Sequence, residues 1–253
     1  MTRTQVLGVP VDALTYPDIR DVIRRHVRSG EGCLHVVTLN PEYVMTARND
    51  PAFAEAIRQS RLITVDGVGV SLALRALEPG MAADRVTGVA LSWFLGELSA
   101  ETGQGVFLLG AGIGVADEAG RRLIAEHPGA SVVGTWAEGS PRPEDDAETI
   151  DRIRESGATM LLVAYGAPAQ IHWIHRNLPR LDAAGVRVVI GIGGALDYIS
   201  GNVPWAPPLV RRLGLEWLYR LAREPWRWRR QMALPMFAAL VARDAVRKRL
   251  RRP

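Results

Sequence analysis

The stretch RLITVDGVGVSLAL, residues 61–74, joins a short apolar run to a loop that contains one carboxylate and two glycines. Leu62 to Val65 have the length and composition of a buried β-strand, and the apolar residues after Gly69 fit a helix. Asp66 therefore stands at the carboxyl end of a strand, where open α/β sheets bind their ligands. The alternative is an ordinary turn in which Asp66 only caps the next helix.

Further apolar runs of strand length recur along the chain and alternate with stretches of helix length. The strands are predicted at residues 34–39, 62–65, 106–109, 131–133, 160–164 and 186–190. The most regular helices are predicted at residues 51–60, 115–127 and 145–156. Continuous apolar strands that alternate with helices indicate a mostly parallel sheet with helices on both faces. The predicted fold is therefore a Rossmann-like α/β fold.

The charge of the chain is concentrated near its C-terminus, beyond the break VPWAPP at residues 203–208. Residues 209–253 carry 13 basic and three acidic side chains, a net charge of +10, whereas the other 208 residues carry a net charge of −6. Tryptophans interleaved with arginines favour the interface of an anionic membrane. We therefore predict an α/β body over residues 1–205 and a basic helical appendage over 206–253 that associates with a membrane surface. The alternative is a helix that simply packs on the body.

Composition and motifs narrow the cellular setting. A single cysteine, Cys33, excludes an internal disulfide framework and fits a reducing compartment. The N-terminus lacks a signal-peptide pattern, and no apolar run is long enough to span a membrane. His172 and His175 are spaced to share one helix face, but further ligands for a metal are missing from the sequence pattern. We expect a cytoplasmic protein that needs no metal.

Two glycine-rich loops follow predicted strands and are candidate nucleotide-binding loops. GAGIGVA (110–116) resembles a dinucleotide fingerprint, but Val115 stands where the third glycine would be. GIGGALD (191–197) combines glycines that permit close backbone approach with a carboxylate that can bind a ribose or a base. Tight turns are the alternative for both loops. The candidate nucleotide-binding residues are Gly110, Gly112, Gly193, Gly194 and Asp197.

Several longer motifs occur in a specific order along the chain. They are TLNPEYV (38–44), DPAFAEAIRQSRLITVDGVGV (50–70), RVTGVAL (85–91), GAPAQ (166–170) and GGALDYISGNVPWAPPLVRRLGLEWLYRLAREPWRWRRQ (193–231). In this combination, from about Val6 to about Gln231, the chain resembles the WecG/TagA/CpsF family of bacterial glycosyltransferases.

The resemblance implies an inverting transfer of a hexose, of the N-acetylmannosamine type or related to it, from a UDP-sugar donor. The implied acceptor is a sugar on a polyprenyl diphosphate at the inner face of the cytoplasmic membrane, in the synthesis of a cell-surface polysaccharide or teichoic acid. No cofactor or metal is implied, and a homo-oligomer is compatible with the family.

The resemblance also assigns residues. Asp66 matches the proposed catalytic base, and a strand-end position would raise its pKa by desolvation and make it a better base. The positions that match substrate-binding residues are Thr38, Asn40, Arg85 and Gln170. Two departures from the family pattern, Ile171 and Ala90 in place of acids, leave the donor sugar open.

The tail supplies a further set of candidates. Arginine binds phosphate through a planar fork that lysine lacks. The candidates for the diphosphate of the acceptor are Arg220, Arg223, Arg227, Arg229 and Arg230.

Two other classes of function compete with a transferase. The basic tail with its aromatic residues also fits a nucleic-acid-binding or membrane-surface module without catalysis. The acidic body and the lack of a nucleic-acid motif count against a nucleic-acid partner. The loop at 110–116 also fits a nucleotide-dependent oxidoreductase, although its third glycine is missing.

Overall fold

The computed structural model describes residues 2–81, 83–207, 209, 210, 216–223, 225, 228 and 232–250. The strands are β1 (Thr2–Val6), β2 (Val9–Ala13), β3 (Leu34–Leu39), β4 (Leu62–Val65), β5 (Gly105–Gly110), β6 (Ser131–Trp136), β7 (Met160–Ala164) and β8 (Val188–Gly191). The α-helices are α1 (Tyr16–Ser29), α2 (Pro41–Asn49), α3 (Pro51–Arg58), α4 (Gly67–Leu77), α5 (Gly88–Thr102), α6 (Val115–Glu126), α7 (Asp146–Glu155), α8 (Ala169–Ala183), α9 (Ala195–Ile199), α10 (Glu216–Arg223) and α11 (Ala233–Leu250).

Six strands form one sheet in the order β4-β3-β8-β7-β5-β6, and every neighbouring pair is parallel. Successive side chains point to opposite faces, so Val36 and Leu108 enter one core while Val37 and Leu109 enter the cores on the other face. Helices α1, α5, α6 and α9 cover the first face, and α2, α3, α4, α7 and α8 cover the second. The predicted Rossmann-like fold is confirmed, with all six predicted strands present.

An antiparallel hairpin, β1–β2, precedes the sheet and was not predicted from the sequence. The carboxylate of Asp12 is buried, and it accepts a hydrogen bond from the backbone N–H of Ile63 at 2.8 Å. Arg3 pairs with the same carboxylate at 2.8 Å. The hairpin thus covers β4, the edge strand of the sheet, and supplies an acceptor for a backbone N–H on the side of β4 that has no neighbouring strand.

Replacement of Asp12 by Ala should lower the free energy of unfolding by about 2 to 3 kcal/mol, because the N–H of Ile63 would stay buried without its acceptor. Urea denaturation measures this loss. Asp21→Ala is the matched control, since it removes an exposed carboxylate that pairs with Arg24 at 3.1 Å and should cost less than about 1 kcal/mol. Equal losses for the two variants would show that Asp12 is no more than a surface ion pair.

The final helix, α11, packs against α2 and α4. Phe237 and Val241 are buried there in the same apolar cluster as Tyr43 and Val70. Lys248 reaches Glu78 on the end of α4 at 2.6 Å. This part of the basic tail therefore lies on the body, while the division at residues 205 and 206 stays a prediction. Among the helices that the structure describes, none combines the length and apolar character needed to cross a membrane.

Candidate active site

A cleft of about 410 Å³ lies at the C-terminal edge of the sheet. Four neighbouring strands contribute to its wall, each at or just beyond its carboxyl end, and the residues involved are Thr38, Asp66, Ala164, Tyr165, Ile192 and Gly193. Parallel strands place these ends side by side, so residues far apart in sequence converge. Of the predicted site residues, those that line the cleft are Thr38, Asn40, Asp66, Gln170, Gly193, Gly194 and Asp197.

Asp66 occupies the N-cap position of α4, yet within the described residues its side chain makes no capping hydrogen bond. Its backbone N–H donates to the carbonyl of Leu39 at 2.8 Å, which fixes the residue between the ends of β3 and β4. The carboxylate itself lines the cleft. The interpretation of Asp66 as a turn and cap residue therefore explains the position of its backbone. It does not explain the side chain, which makes no capping hydrogen bond and belongs to a residue that lines the cleft.

The surroundings of Asp66 disfavour its charged form. Asp66 is half-buried at the cleft wall, and the loss of solvent around its carboxyl group is the main cause, which raises the pKa of Asp66 from an ordinary value of 3.8 to about 7. The positive charge of Arg85 and the backbone N–H of Gly67 oppose this rise, whereas the negative charge of Glu216 adds to it. A carboxylate with a pKa close to neutrality is an effective general base at the pH of the cell.

Arg85 lies beside the end of β4, where it forms an isolated parallel bridge with Val65. Its guanidinium pairs with Glu216 of α10 at 3.2 Å. Glu216 lines the cleft with Asp66, and sequence reasoning gave it no role. Glu216 is one of three acidic residues in residues 209–253, a segment with a net charge of +10. An acid that is rare in a basic segment was the signal in the sequence that could have identified it. The tail thus contributes a charged residue to the surroundings of the base.

Replacement of Glu216 by Gln should move the acid limb of the kcat/KM profile to lower pH. The substitution removes a negative charge that raises the pKa of Asp66 and releases Arg85, whose charge lowers it, so both effects act in the same direction. The pH dependence of the transfer reaction that the family resemblance implies measures the shift. Glu155→Gln, an exposed change on α7, should leave the profile in place. An acid limb at the same pH in Glu216→Gln as in the unmodified protein would show that Glu216 does not influence the pKa of the base.

Thr38 and Asn40 shape the wall beside Asp66. The hydroxyl of Thr38 donates a weak hydrogen bond of 3.5 Å to the carbonyl of Gly191, which connects β3 to β8. The side-chain oxygen of Asn40 accepts from the N–H of Tyr43 at 2.9 Å and caps α2. Both residues therefore hold elements of the cleft in position as well as lining it.

Gln170 is buried and links three parts of the cleft. Its side-chain oxygen accepts from the N–H of Gly166 at 3.1 Å and from the N–H of Gly193 at 2.9 Å, and its amide nitrogen donates to the hydroxyl of Tyr43 at 2.6 Å. A Cβ at Gly191 would come within 2.9 Å of this amide nitrogen, so a larger residue there would displace the side chain of Gln170. These bonds set the shape of the cleft through Gln170.

The two glycine-rich loops have different positions. Gly193, Gly194 and Asp197 line the cleft, and the carboxylate of Asp197 accepts from the amide of Asn202 at 3.2 Å. Gly110 and Gly112 are not among the described residues that line it. Gly110 has a φ of +86°, and a Cβ there would come within 2.9 Å of the Tyr165 ring. Gly110 therefore lets Tyr165, which does line the cleft, pack closely.

Aromatic residues form one side of the cleft, and sequence reasoning did not assign them to it. Tyr198 and Trp205 lie with ring centroids 6.4 Å apart, and both line the cleft together with Tyr165. Trp205 is 45% exposed. Trp205 is the last residue of the predicted α/β body and lies in the break VPWAPP, and only the fold shows that the chain passes the cleft at this point.

The tail arginines are only partly described. Arg223 donates to the hydroxyl of Tyr219 at 3.3 Å, with its guanidinium 5.5 Å from the centre of that ring. The backbone of Arg220 belongs to α10, but its side chain lies outside the described residues, as do Arg227, Arg229 and Arg230. The assignment of these arginines to a diphosphate stays a prediction.

Comparison with known proteins assigns the chain to a family. Residues 4–251 match the model of the glycosyl transferase WecG/TagA/CpsF family. The chain belongs to this glycosyltransferase family. Two relatives in the WecG/TagA/CpsF family are each named N-acetylglucosaminyldiphosphoundecaprenol N-acetyl-beta-D-mannosaminyltransferase. The one from Bacillus spizizenii is 32% identical over 206 residues, which is 81% of this chain and 77% of the relative. The one from Bacillus subtilis is 30% identical over 229 residues, which is 90% of this chain and 87% of the relative.

The WecG/TagA/CpsF assignment confirms the resemblance and the class of enzyme, a glycosyltransferase. The matched region includes the whole cleft and α10. Among the described residues, no group of three or more His, Cys, Asp or Glu side chains is arranged to hold a metal ion. The chain's own residues offer a carboxylate with a raised pKa in a polar cleft that aromatic residues also line.

Proposed function

We propose that this protein transfers a hexose of the N-acetylmannosamine type from a UDP-sugar to a sugar carried on a polyprenyl diphosphate, with inversion at the anomeric carbon. The observation that carries the proposal is Asp66, a carboxylate with a pKa raised to about 7 in a strand-end cleft of a WecG/TagA/CpsF glycosyltransferase. The names of the two Bacillus relatives support this acceptor and this sugar.

In the proposed reaction, a hydroxyl of the acceptor sugar attacks the anomeric carbon of the donor. The bond from that carbon to the diphosphate oxygen breaks, UDP leaves with the electron pair, and Asp66 takes the proton of the attacking hydroxyl. A single displacement inverts the anomeric configuration. Because the pKa of Asp66 is about 7, a substantial fraction of the base is ionised near neutral pH, and the carboxylate is strong enough to accept a proton in the transition state.

We place the nucleotide on the side of the cleft formed by Asp197, Tyr198 and Trp205. The aromatic rings offer a surface on which a uracil can stack, and the carboxylate offers an acceptor for ribose hydroxyls. We assign Arg85, which pairs with Glu216 at 3.2 Å but is not among the described residues that line the cleft, to the diphosphate of the acceptor. The proposed nucleotide site therefore contains Asp197, which the sequence predicted, and two aromatic residues that it did not, Tyr198 and Trp205.

The two departures from the family pattern do not argue for a different donor. Ile171 is fully buried in the apolar cluster that contains Tyr43, and Ala90 packs against the core on the other face. Neither belongs to the described residues that line the cleft. We therefore retain a donor of the N-acetylmannosamine type.

We place the reaction at the inner face of the cytoplasmic membrane, where the basic tail would hold the enzyme against anionic lipids. The support is the net charge of +10 on residues 209–253, with each base worth about 1 kcal/mol near an anionic surface. This attraction should weaken with added salt.

The proposed function is tested by UDP release over a panel of donors, with N-acetylglucosamine on a polyprenyl diphosphate as the acceptor. We expect release that depends on this acceptor and is fastest with UDP-N-acetylmannosamine. UDP should raise the melting temperature of the protein, whereas NAD should not. Stabilisation by NAD, or UDP release that the acceptor does not accelerate with any donor, would contradict the proposal and favour one of its rivals.

A further inference from the structure

A second cavity, of about 670 Å³, lies between helices α4 and α11. We call it the apolar groove, and its apolar side chains are Pro41, Val68, Leu72, Ala73, Ala76, Trp217, Leu234, Phe237, Ala238, Val241, Ala242 and Ala245. This composition contrasts with the cleft, which is lined largely by polar residues. The groove therefore suits an uncharged hydrocarbon ligand.

Small residues on the two facing helices create the groove. On α11, Ala238, Ala242 and Ala245 follow a spacing of four and three residues, which places them on one face of the helix. Ala73 and Ala76 on α4 lie opposite to them. Larger side chains at these positions would fill the space, so the alanines keep a channel between packed helices. Its length, from Gly67 to Ala76 along α4, is about 14 Å.

The groove is continuous with the catalytic cleft. Both cavities are lined by the same polar residues at their junction, which are Asn40, Glu42, Asp66, Tyr198 and Glu216. Arg85, paired with Glu216, lines the groove on this side. A ligand with its reacting hydroxyl at Asp66 can therefore extend its apolar part into the groove, while the donor occupies the cleft.

We infer that the apolar groove binds the first isoprene units of the lipid carrier of the acceptor, next to its diphosphate. The inference rests on the proposed function, which supplies an acceptor that is a sugar diphosphate at one end and a long hydrocarbon at the other. Charge and polarity are distributed in the same order along the cavity, from the carboxylate of Asp66 past Arg85 to the alanines of α11.

The exposed apolar residues at the groove indicate how the carrier enters it. Leu72 is 56% exposed and Trp217 is 38% exposed, and both line the groove. Exposed aliphatic and tryptophan side chains are characteristic of surfaces that contact the membrane interface. The carrier would thus pass from the bilayer into the groove between these two residues.

The test fills the groove without disturbing the core. Ala238 and Ala242 are exposed and line the groove, so Ala238→Phe and Ala242→Phe each place a ring in it. Ala239→Phe is the control, because it adds the same ring at an exposed position of α11 that is not among the residues that line the groove. Transfer is measured with two acceptors, N-acetylglucosamine on undecaprenyl diphosphate and the same sugar diphosphate on a short alkyl group. Circular dichroism checks that each variant is folded.

We expect the two groove variants to raise KM for the undecaprenyl acceptor by about tenfold, the change that corresponds to excluding two methylene groups from an apolar site. KM for the short acceptor should stay as in the unmodified protein, and Ala239→Phe should change neither value. Equal KM values for the undecaprenyl acceptor in all variants would overturn the assignment of the groove. A loss with both acceptors would show that the ring disturbs the catalytic cleft instead, which also overturns it.

A binding measurement separates the groove from the proposed function. An isoprenyl diphosphate that carries a benzophenone on its chain is irradiated with the full-length protein, and the labelled peptides are identified by mass spectrometry. Labels should fall within residues 67–76 and 233–245, and Ala242→Phe should suppress them while Ala239→Phe does not. If the protein transfers no sugar but is labelled there, the proposed function fails and the groove stands. Labels elsewhere, or none, would mean that another segment or a second copy occupies the groove.

Discussion

Replacement of Asp66 by Asn is expected to lower turnover by about 100- to 10,000-fold, the range for loss of a general base. Asparagine keeps the shape of the side chain but cannot accept the proton of the attacking hydroxyl. The affinity for UDP should stay close to that of the unmodified protein, because the proposed nucleotide side of the cleft is formed by Tyr198 and Trp205. UDP release and UDP binding, measured on the same preparations, separate the two effects.

The loss of turnover in Asp66→Asn should not come from unfolding. The pKa of Asp66 is about 7 in the folded protein and near 3.8 in the unfolded chain, so the folded state binds the proton more tightly. This contribution to stability is complete below pH 4 and is lost as the pH rises through 7. At pH 8 the charged Asp66 therefore costs stability, and Asp66→Asn should melt at the same temperature or higher. Asp151→Asn, an exposed change on α7, serves as the control and should keep normal turnover. Near-normal turnover in Asp66→Asn would exclude Asp66 as the base.

Deletion of residues 209–253 is expected to abolish transfer to a lipid-linked acceptor and binding to vesicles that contain phosphatidylglycerol. The deletion removes 13 basic residues, and the loss of only three surface contacts of about 1 kcal/mol each would weaken vesicle binding by more than about 100-fold. It also removes Glu216 and one wall of the apolar groove. UDP binding should survive, because the proposed nucleotide contacts lie in the body. Transfer at the full-length rate by the truncated protein would contradict a role of the tail in membrane docking and in the active site.

A second pair of variants keeps the chain at full length, since the deletion exposes the surface of α2 and α4 that Phe237 covers. The five candidate arginines, Arg220, Arg223, Arg227, Arg229 and Arg230, are replaced together by Gln in one variant and by Lys in the other. Glutamine should weaken vesicle binding, because eight of the 13 bases remain, and should remove transfer. Lysine should keep vesicle binding, which depends on charge, and reduce transfer, which depends on the planar fork of arginine at the diphosphate. Normal transfer in the glutamine variant would remove these residues from the acceptor site.

The strands and the position of Asp66 were predictable because their signals are local. Leu62 to Val65 form a fully buried parallel strand, which appears in the sequence as a continuous apolar run that ends at a carboxylate. The β1–β2 hairpin has no such run, because its strands mix polar residues with Pro10 and depend on Asp12 reaching across to Ile63. Contacts of this kind arise from the tertiary structure and leave no pattern along the chain.

The composition of the cleft was only partly predictable for the same reason. The predicted Gly193 and Asp197 line the cleft because they lie in the loop and the short helix that follow β8, whereas Trp205 and Glu216 reach it only through the return of the chain after α9. Gly110 is likewise at the carboxyl end of a strand, but that strand, β5, is separated from β3 by two others in the sheet. Strand order, which the sequence does not reveal, therefore decides which strand-end loops meet at the cleft.

The central claim, that Asp66 is the base in this cleft, is tested most directly by the pH dependence of kcat/KM for acceptor-dependent UDP release. In the unmodified protein, kcat/KM should rise about tenfold per pH unit below a pKa of about 7 and reach a plateau above it. In Asp66→Asn the remaining activity should show no such limb. An acid limb near pH 4 in the unmodified protein, or a limb near pH 7 that persists in Asp66→Asn, would contradict the account.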